Sequence, residues 1–246
     1  QNIYTSILQP FNNIIFIKEA LTLKMSPMNK RKSTGLYLHE PRYLKKRGIG
    51  NSSPIGLFAF GTTQFMYSLY LIQIANITNR QVWLGASLFY GGIIQVLAGI
   101  FELYSGKTLN ATLFCSYGGH WISYGFIYLP SSGIIDSFKG DQVMFRQAIG
   151  IYHLSWTVFT FFMLIASLRT TVLQISTLFF VFITLIFLDL ADFTGLNILS
   201  QIGGCFGVIV ALGAWYSAMS HLLTKETSYF VLPVFPITNT KPSKLV

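Results

Sequence analysis

The sequence predicts an all-α membrane protein built as a bundle of six transmembrane helices. Charged residues make up 10 % of the 246 positions, against roughly 25 % in an ordinary soluble domain. The mean hydropathy is +0.54. The chain also contains a series of apolar stretches, each close to the roughly 20 residues that a helix needs to cross a bilayer. A soluble domain of this length would need far more charge to cover its surface.

Six apolar stretches carry this prediction, and they begin abruptly after residue 50. They cover residues 54–79, 81–101, 109–129, 147–168, 170–188 and 197–222. Because the joints between them are short, we expect consecutive helices to be antiparallel neighbours. The chain then divides into a disordered basic cytoplasmic N-terminal tail (1–50), a six-helix transmembrane domain (51–223) and a cytoplasmic C-terminal tail (224–246).

The basic residues predict the orientation of the bundle. Nine of the 17 Lys and Arg residues lie in the first 47 positions. With both termini cytoplasmic, 14 basic residues fall inside and only Arg80, Lys139 and Arg146 fall outside, which fits the excess of Lys and Arg in cytoplasmic segments. The basic tail can also contact anionic membrane lipids. It does not indicate a nucleic-acid partner, because that would require a basic patch on a folded polar surface.

Small residues recur at regular intervals in two predicted helices. The positions are Gly85, Gly92 and Gly99 in the second, and Gly203, Gly207 and Ala211 in the sixth. Small residues at such spacing let helix backbones approach closely in a membrane. These faces can serve contacts within one subunit or between subunits, and we expect them to support a homo-oligomer.

The first span opens with a helix-start motif, NSSPIGL at residues 51–57. The polar side chains that begin with Asn51 can accept hydrogen bonds from free backbone N–H groups, and Pro54 suits the first turn of a helix. A helix N-terminus at a membrane face also favours small anions. By itself, the motif fits an ordinary helix cap equally well.

Several separated motifs give the chain a resemblance to a known family. Besides NSSPIGL they are FYGGIIQ at 89–95, followed by Glu102, then SYGG at 116–119, WTVFT at 156–160 and LPV at 232–234. From residue 51 to residue 236 the chain resembles the acetate uptake transporter family, which comprises succinate–acetate permease-like proteins and acetate/ammonium transporters.

The chain departs from the family pattern at a few positions. Ser52 replaces the first proline of the opening motif, and Lys107 stands where an amide side chain is usual. Asp189 and Asp192 end the fifth span, where the family is mostly apolar, and we expect them at its outer end. These departures bear on substrate preference and activity.

The resemblance implies a homohexamer with one pore in each six-helix subunit. It also implies a pore constriction of three residues from helices one, three and five, and these correspond to Phe60, Tyr117 and Val181. An apolar ring of this kind gates a pore by excluding water. Without the resemblance, each aromatic residue would fit ordinary helix packing.

Polar residues inside the spans are candidates for a substrate pathway, since intramembrane polar groups tend to face a pore or the bundle interior. With Asn51 and Pro54, the pathway candidates are Gln64, Gln95, Thr112, Ser116 and Thr157. Serine and threonine can instead bond to their own helix. Glu102 and His120 are possible proton carriers, although Glu102 also fits an interface position and His120 a hydrogen-bonded core residue.

We therefore expect passage of acetate and similar small carboxylates across the plasma membrane, with succinate or ammonium as further substrates. The mechanism is channel-like or proton-coupled. The alternative is a membrane sensor or signalling protein with the same fold. We expect no enzyme, cofactor or metal site, because the four histidines fall in separate segments without metal-binding spacing.

Overall fold

The computed structural model describes residues 50–77, 79 and 81–237. Six long helices, here numbered α1 to α6, run through these residues: Ser53–Ile72, Gln81–Tyr104, Thr108–Tyr128, Gln142–Ala166, Val172–Thr194 and Asn197–Leu222. Within the described ranges, extended pairing is limited to one isolated bridge between Thr171 and Pro236. The predicted all-α fold is confirmed.

Five of the six helices in the described part are long and apolar enough to cross a membrane, namely all except α3. The 21 residues of α3 reach about 31 Å at 1.5 Å per residue, close to the hydrocarbon thickness. Its polar residues lower its apolar character, and some of them, such as His120, are buried against other helices. The six-helix bundle is therefore present, with five strongly apolar spans.

The helix ends differ from the predicted spans for local reasons. α1 stops at Ile72 because Gln73 adopts a left-handed conformation with φ 58°, whereas the sequence predicted a span to residue 79. α4 begins at Gln142, where the Asp141 side chain accepts a hydrogen bond from the Met144 N–H at 2.9 Å. α5 continues past residue 188 until Gly195, whose φ of 79° ends the helix.

The six helices form a closed arrangement around a central cavity. α1 packs between α2 and α6, α3 packs on α2, and α5 packs between α4 and α6. Side chains close the remaining gap between α3 and α4, where the Tyr117 hydroxyl lies 2.9 Å from Thr160 Oγ1. We call the end of the bundle where α1, α3 and α5 begin the proximal end, and the opposite end the distal end.

The glycine faces serve contacts within the subunit. A methyl group on Gly92 would lie 2.5 Å from Ile122 of α3, and one on Gly99 would lie 2.5 Å from Cys115 of the same helix. A methyl group on Gly207 would collide with Ser68 of α1. The hypothesis that the glycine faces carry the homo-oligomer is therefore corrected at Gly92, Gly99 and Gly207, because neighbouring helices of one subunit already occupy these positions. No described atom lies within 4 Å of a Cβ atom on Gly85.

The middle of α2 departs from regular α-helical winding. Residues Ala86–Ile94 follow the wider π-helical hydrogen-bond pattern, which is rare and occurs frequently at functional sites. The irregular stretch is anchored by the Ser87 hydroxyl, which donates to the Trp121 carbonyl at 2.6 Å. It directly precedes Gln95, whose side chain is buried within the bundle.

The segment that follows α6 folds back onto the proximal end of the bundle. The Val172 N–H donates to the Phe235 carbonyl at 3.0 Å, and the Ile237 N–H donates to the Thr170 carbonyl at 3.0 Å. The Tyr216 hydroxyl donates to the Pro233 carbonyl at 3.0 Å. The described part of the predicted C-terminal tail is thus tied to the first turn of α5 and to α6.

Candidate functional site

Two cavities lie one behind the other inside the bundle. The proximal cavity has a volume of about 80 Å³, and the distal cavity has a volume of about 30 Å³. α1, α3 and α5 all begin at the proximal end and line both cavities. Residues at equal steps along these three helices therefore lie at similar depths.

Three residues separate the two cavities. Phe60 of α1, Tyr117 of α3 and Val181 of α5 line both of them. On each of the three helices, the other lining residues precede this position in the proximal cavity and follow it in the distal cavity. The structure thus brings together the three residues that the sequence assigned to a constriction.

The separating ring is apolar and closely packed. The centroids of the Phe60 and Tyr117 rings lie 5.7 Å apart, and the side chains of Phe60, Tyr117 and Val181 belong to one buried cluster. The Tyr117 hydroxyl is engaged with Thr160, which leaves the aromatic ring to face the passage. A solute that passes between the two cavities therefore meets a bulky, apolar surface formed by these three residues.

The proximal cavity holds an amide side chain that is buried but not hydrogen-bonded. Gln95 is 1 % exposed and lines this cavity. Within the described residues, neither its Nε2 nor its Oε1 atom has a hydrogen-bond partner. A buried polar group without a partner costs roughly 1–3 kcal/mol, so this amide is placed to bind water or a solute in the cavity.

The distal cavity carries a different set of polar groups. Gln64 lies on its α1 side, with the Nε2 atom donating to Ser68 Oγ at 3.1 Å. His120 of α3 and His153 of α4 also line it. Two histidines and an amide thus face the distal cavity, whereas the proximal cavity presents amides and hydroxyls together with His221.

The remaining pathway candidates lie outside the described cavities. Asn51 precedes Ser52, the N-cap residue of α1, and its Oδ1 atom accepts from the Ser53 N–H at 3.2 Å and from Lys107 Nζ at 3.2 Å. Pro54 is buried in the first turn of α1. Thr112, Ser116 and Thr157 line neither described cavity. Thr112 donates to the Thr108 carbonyl of its own helix, which is the ordinary use of threonine in a helix.

Glu102 forms a closed polar cluster at the proximal end. Its carboxylate accepts from the hydroxyls of Ser52 at 2.6 Å and Ser53 at 2.9 Å, and from the Asn110 amide at 3.3 Å. Lys107 Nζ lies 3.3 Å from the second carboxylate oxygen.

Ser52 and Lys107, two departures from the family pattern, thus both contact the buried carboxylate of Glu102. With both carboxylate oxygens engaged, Glu102 ties the start of α1 to the end of α2 and the start of α3. The geometry favours this tethering role over the proton-carrying role that the sequence suggested.

His120 is held among aromatic rings. Its ring stacks on Tyr124 at an interplanar angle of 9° and on Tyr152 at 20°. Its Nδ1 atom lies 3.0 Å from the Tyr152 hydroxyl. His120 is therefore a hydrogen-bonded core residue that also lines the distal cavity, and its role as a proton carrier stays a prediction.

Sequence reasoning missed three groups near the pathway. Asn110 and Gln174 line the proximal cavity, and His153 pairs with Asp192 across α4 and α5 at a distance of 2.6 Å. The signal for Asn110 and Gln174 was their position seven residues, about two helical turns, before Tyr117 on α3 and Val181 on α5. The partner of His153 could not be found from the sequence, because 39 positions separate the two residues.

Comparison with known proteins gives consistent matches. The model of the GPR1/FUN34/yaaH family matches residues 37–239. The protein named "Ammonia transport outward protein 2" of Saccharomyces cerevisiae is 36 % identical over 189 residues, which cover 77 % of this chain and 67 % of the relative. The "Succinate-acetate/proton symporter SatP" of Escherichia coli K12 is 31 % identical over 192 residues, covering 76 % of this chain and 95 % of the relative.

A solved structure matches in three dimensions. The structure titled "Structure of the bacterial acetate channel SatP" superposes with a TM-score of 0.68 at 28 % sequence identity. The match covers 76 % of this chain and 99 % of that chain. The arrangement of helices described above is therefore shared with a bacterial membrane protein.

Proposed function

Because the chain belongs to the GPR1/FUN34/yaaH family, as the sequence motifs predicted, we propose that it passes acetate and similar small carboxylates across a membrane. The passage runs through a pore inside each subunit. The observation that carries the proposal is the ring of Phe60, Tyr117 and Val181, the three described residues that line both cavities of the bundle. A transport role of this kind involves no catalysed reaction.

The chemistry of the proximal cavity fits a small carboxylate. The Gln95 amide, buried and without a partner among the described residues, can donate to a carboxylate oxygen. α1, α3 and α5 begin at this end, and the N-termini of helices carry partial positive charge that attracts anions. The apolar ring beyond then faces the methyl group of acetate, which needs no hydrogen bond.

The ring supports a gate that acts through water exclusion. A narrow apolar segment resists hydration, so an ion passes only when its own interactions compensate for lost water. Acetate is short enough for its carboxylate to remain near polar groups on one side, such as Gln95, while its methyl group enters the ring. Succinate has a charge at both ends, and we expect the ring to admit it more slowly.

The remaining proposals concern location and assembly. We place the protein in the plasma membrane with both termini cytoplasmic, which the excess of basic residues in the tails supports. The proximal end is then cytoplasmic. We also propose a homohexamer on the basis of the family resemblance. Light scattering of the purified protein measures the number of subunits, and a monomer would remove the hexamer while leaving the pore proposal intact.

Transport is tested by uptake of labelled acetate into vesicles that contain the purified protein. We expect uptake above that of protein-free vesicles, and a severalfold loss in Gln95→Leu, which removes the amide and leaves an apolar side chain of similar size. Gln81→Leu, on the exposed start of α2, is the matched control and should behave as wild type.

Wild-type uptake equal to that of empty vesicles would contradict the function. Acetate binding without flux would favour the alternative of a membrane sensor. Labelled methylammonium in the same vesicles tests the ammonium substrate that the name of the yeast relative suggests.

The orientation has its own test in intact cells. After Cys115 and Cys205 are replaced by serine, single cysteines are introduced as Lys139→Cys and Lys244→Cys. Lys139 is exposed between α3 and α4 at the distal end, and Lys244 lies outside the described residues. We expect an impermeant thiol reagent to label position 139 directly and position 244 only after permeabilisation. The reverse pattern would invert the orientation.

A further inference from the structure

A cluster of ionisable residues joins α4 to α5 near the distal cavity. His153 Nδ1 lies 2.6 Å from Asp192 Oδ2, and Asp189 lies one helical turn before Asp192 on α5. The Thr157 hydroxyl donates to Asp189 Oδ2 at 2.7 Å and to the His153 carbonyl at 3.2 Å. The sequence had placed both acids at the outer end of a span, whereas the structure turns them toward α4.

Two of the three ionisable side chains of this cluster are buried, and Asp192 is partly exposed. His153 is 2 % exposed and Asp189 is 8 % exposed. Within the part of the chain that the structure describes, Asp189 Oδ1 is buried without a hydrogen-bond partner. One carboxylate would be enough to tie His153 to α5. A second, incompletely satisfied carboxylate beside it is costly in a membrane, and it leaves a place for a bound proton or water.

His153 connects this cluster to the pathway. It lines the distal cavity directly beyond the constriction. Because its Nδ1 atom is engaged by Asp192, Nε2 is the ring nitrogen left to exchange a proton with the cavity. Arg146 donates through Nε to the Asp192 backbone carbonyl at 3.0 Å, which helps to hold the end of α5 in place.

We propose that His153 is the proton-binding residue of the transport cycle, positioned by Asp192 and assisted by Asp189. The inference rests on the proposed carboxylate transport. A hydronium ion in the distal cavity gives its proton to His153 Nε2 and remains as water. The resulting imidazolium is stabilised by the Asp192 carboxylate, and the reverse transfer returns the proton to water.

The surroundings of His153 allow this role. The titratable or charged groups that face it are His120 and Tyr124 from α3, Asp189 and Asp192 from α5, and Tyr152 from its own helix. Arg146, also on α4, contacts the Asp192 backbone carbonyl. The acids on α5 offset the charge of a protonated imidazole, which an apolar interior alone would penalise. Glu102 lies in a separate, fully engaged cluster at the proximal end and has no such access to the distal cavity.

The test measures exchange of labelled acetate at equal pH on both sides of the vesicle, between about pH 5 and pH 8, where histidine changes charge. We compare the exchange rate of each variant with that of wild type at the same pH, because the protonation of acetate affects both rates equally and drops out of their ratio. We expect this ratio for His153→Gln to change about tenfold across the range, because one titrating group is lost. Asp189→Asn keeps an acceptor for Thr157 and should also change the ratio with pH.

The control and the opposing outcomes separate the two proposals. Asp136→Asn, an exposed acid at the distal end, should give a ratio that does not vary with pH. Constant ratios for both His153→Gln and Asp189→Asn would overturn the proton site while acetate transport stands. If His153→Gln does not fold, Asp189→Asn decides the question alone. Absence of any acetate exchange in the wild type would overturn both proposals.

Discussion

Replacing Phe60 by alanine is expected to raise the rate of acetate passage severalfold and to admit larger carboxylates. The Phe60 ring packs against Tyr117 of the separating ring and against Trp121 of the distal cavity, with centroid distances of 5.7 Å and 6.4 Å. Removing the ring opens a continuous path between the two cavities and weakens the exclusion of water. The measurement compares uptake of acetate and succinate at matched protein amounts.

Phe60→Ala is also expected to destabilise the protein, so the experiment needs variants that separate this effect from the change in passage. Loss of a buried phenylalanine side chain costs about 3–5 kcal/mol, so Phe60→Leu serves as a milder version with the same direction of effect. Phe162→Ala, on the exposed face of α4, should leave both rates unchanged. A folded Phe60→Ala protein with the rates and selectivity of wild type would show that the ring only packs.

Two variants at Tyr117 distinguish the effect of the bulky aromatic ring on passage from the effect of its hydroxyl hydrogen bond. Tyr117→Phe removes only the hydroxyl that meets Thr160, whereas Tyr117→Ala removes the whole ring. If the gate acts by excluding water, the first variant should transport nearly as wild type does and the second should resemble Phe60→Ala. A large change in Tyr117→Phe would instead assign the gate to the hydroxyl.

Replacing Gly118 by leucine is expected to prevent stable folding of the subunit, whereas the same change at Gly119 should be tolerated. A Cβ atom on Gly118 would lie 2.5 Å from Val96 Cγ2 and 3.0 Å from the Gly92 carbonyl of α2. The backbone of α2 cannot move aside as a flexible side chain can. Overpacking a buried site typically costs about 1–3 kcal/mol, and a leucine against backbone should reach or exceed the upper value.

The adjacent glycine gives the comparison its control. Nothing in the described part of the chain lies within 4 Å of a Cβ atom on Gly119, so Gly119→Leu shares the helix, depth and side chain of the test variant. Thermal unfolding of the two proteins in detergent makes the measurement. Equal melting temperatures would show that α2 and α3 do not pack through Gly118.

Much of the architecture was predictable because lipid imposes a simple condition on sequence. A helix that crosses hydrocarbon must be apolar along about 20 residues, so the spans could be found by composition alone. The ends were less predictable, since the stop at Gln73 depends on a single left-handed residue. The extension of α5 to Thr194 was hidden by two acids that the prediction placed at an interface.

The constriction was predictable only through the resemblance. Among 22 Phe and 13 Tyr, neither spacing nor hydropathy distinguishes Phe60 and Tyr117 from residues that simply pack. Val181 is an apolar residue in an apolar span, so its residue type gives no indication of a role in the pore. Its place became visible when the structure showed that the linings of both cavities include it.

The sequence by itself determined the membrane environment, the helical class, the approximate spans and the family, because these depend on local composition and on ordered motifs. Only the tertiary structure decided which polar groups meet. Among the described residues the Gln95 amide has no hydrogen-bond partner, the Glu102 carboxylate contacts four side chains, and His153 pairs with Asp192 on the next helix. The physical reason is that pairing depends on the rotation and depth of neighbouring helices, and these are set by side-chain packing, such as that at Gly92 and Gly118, across the whole bundle.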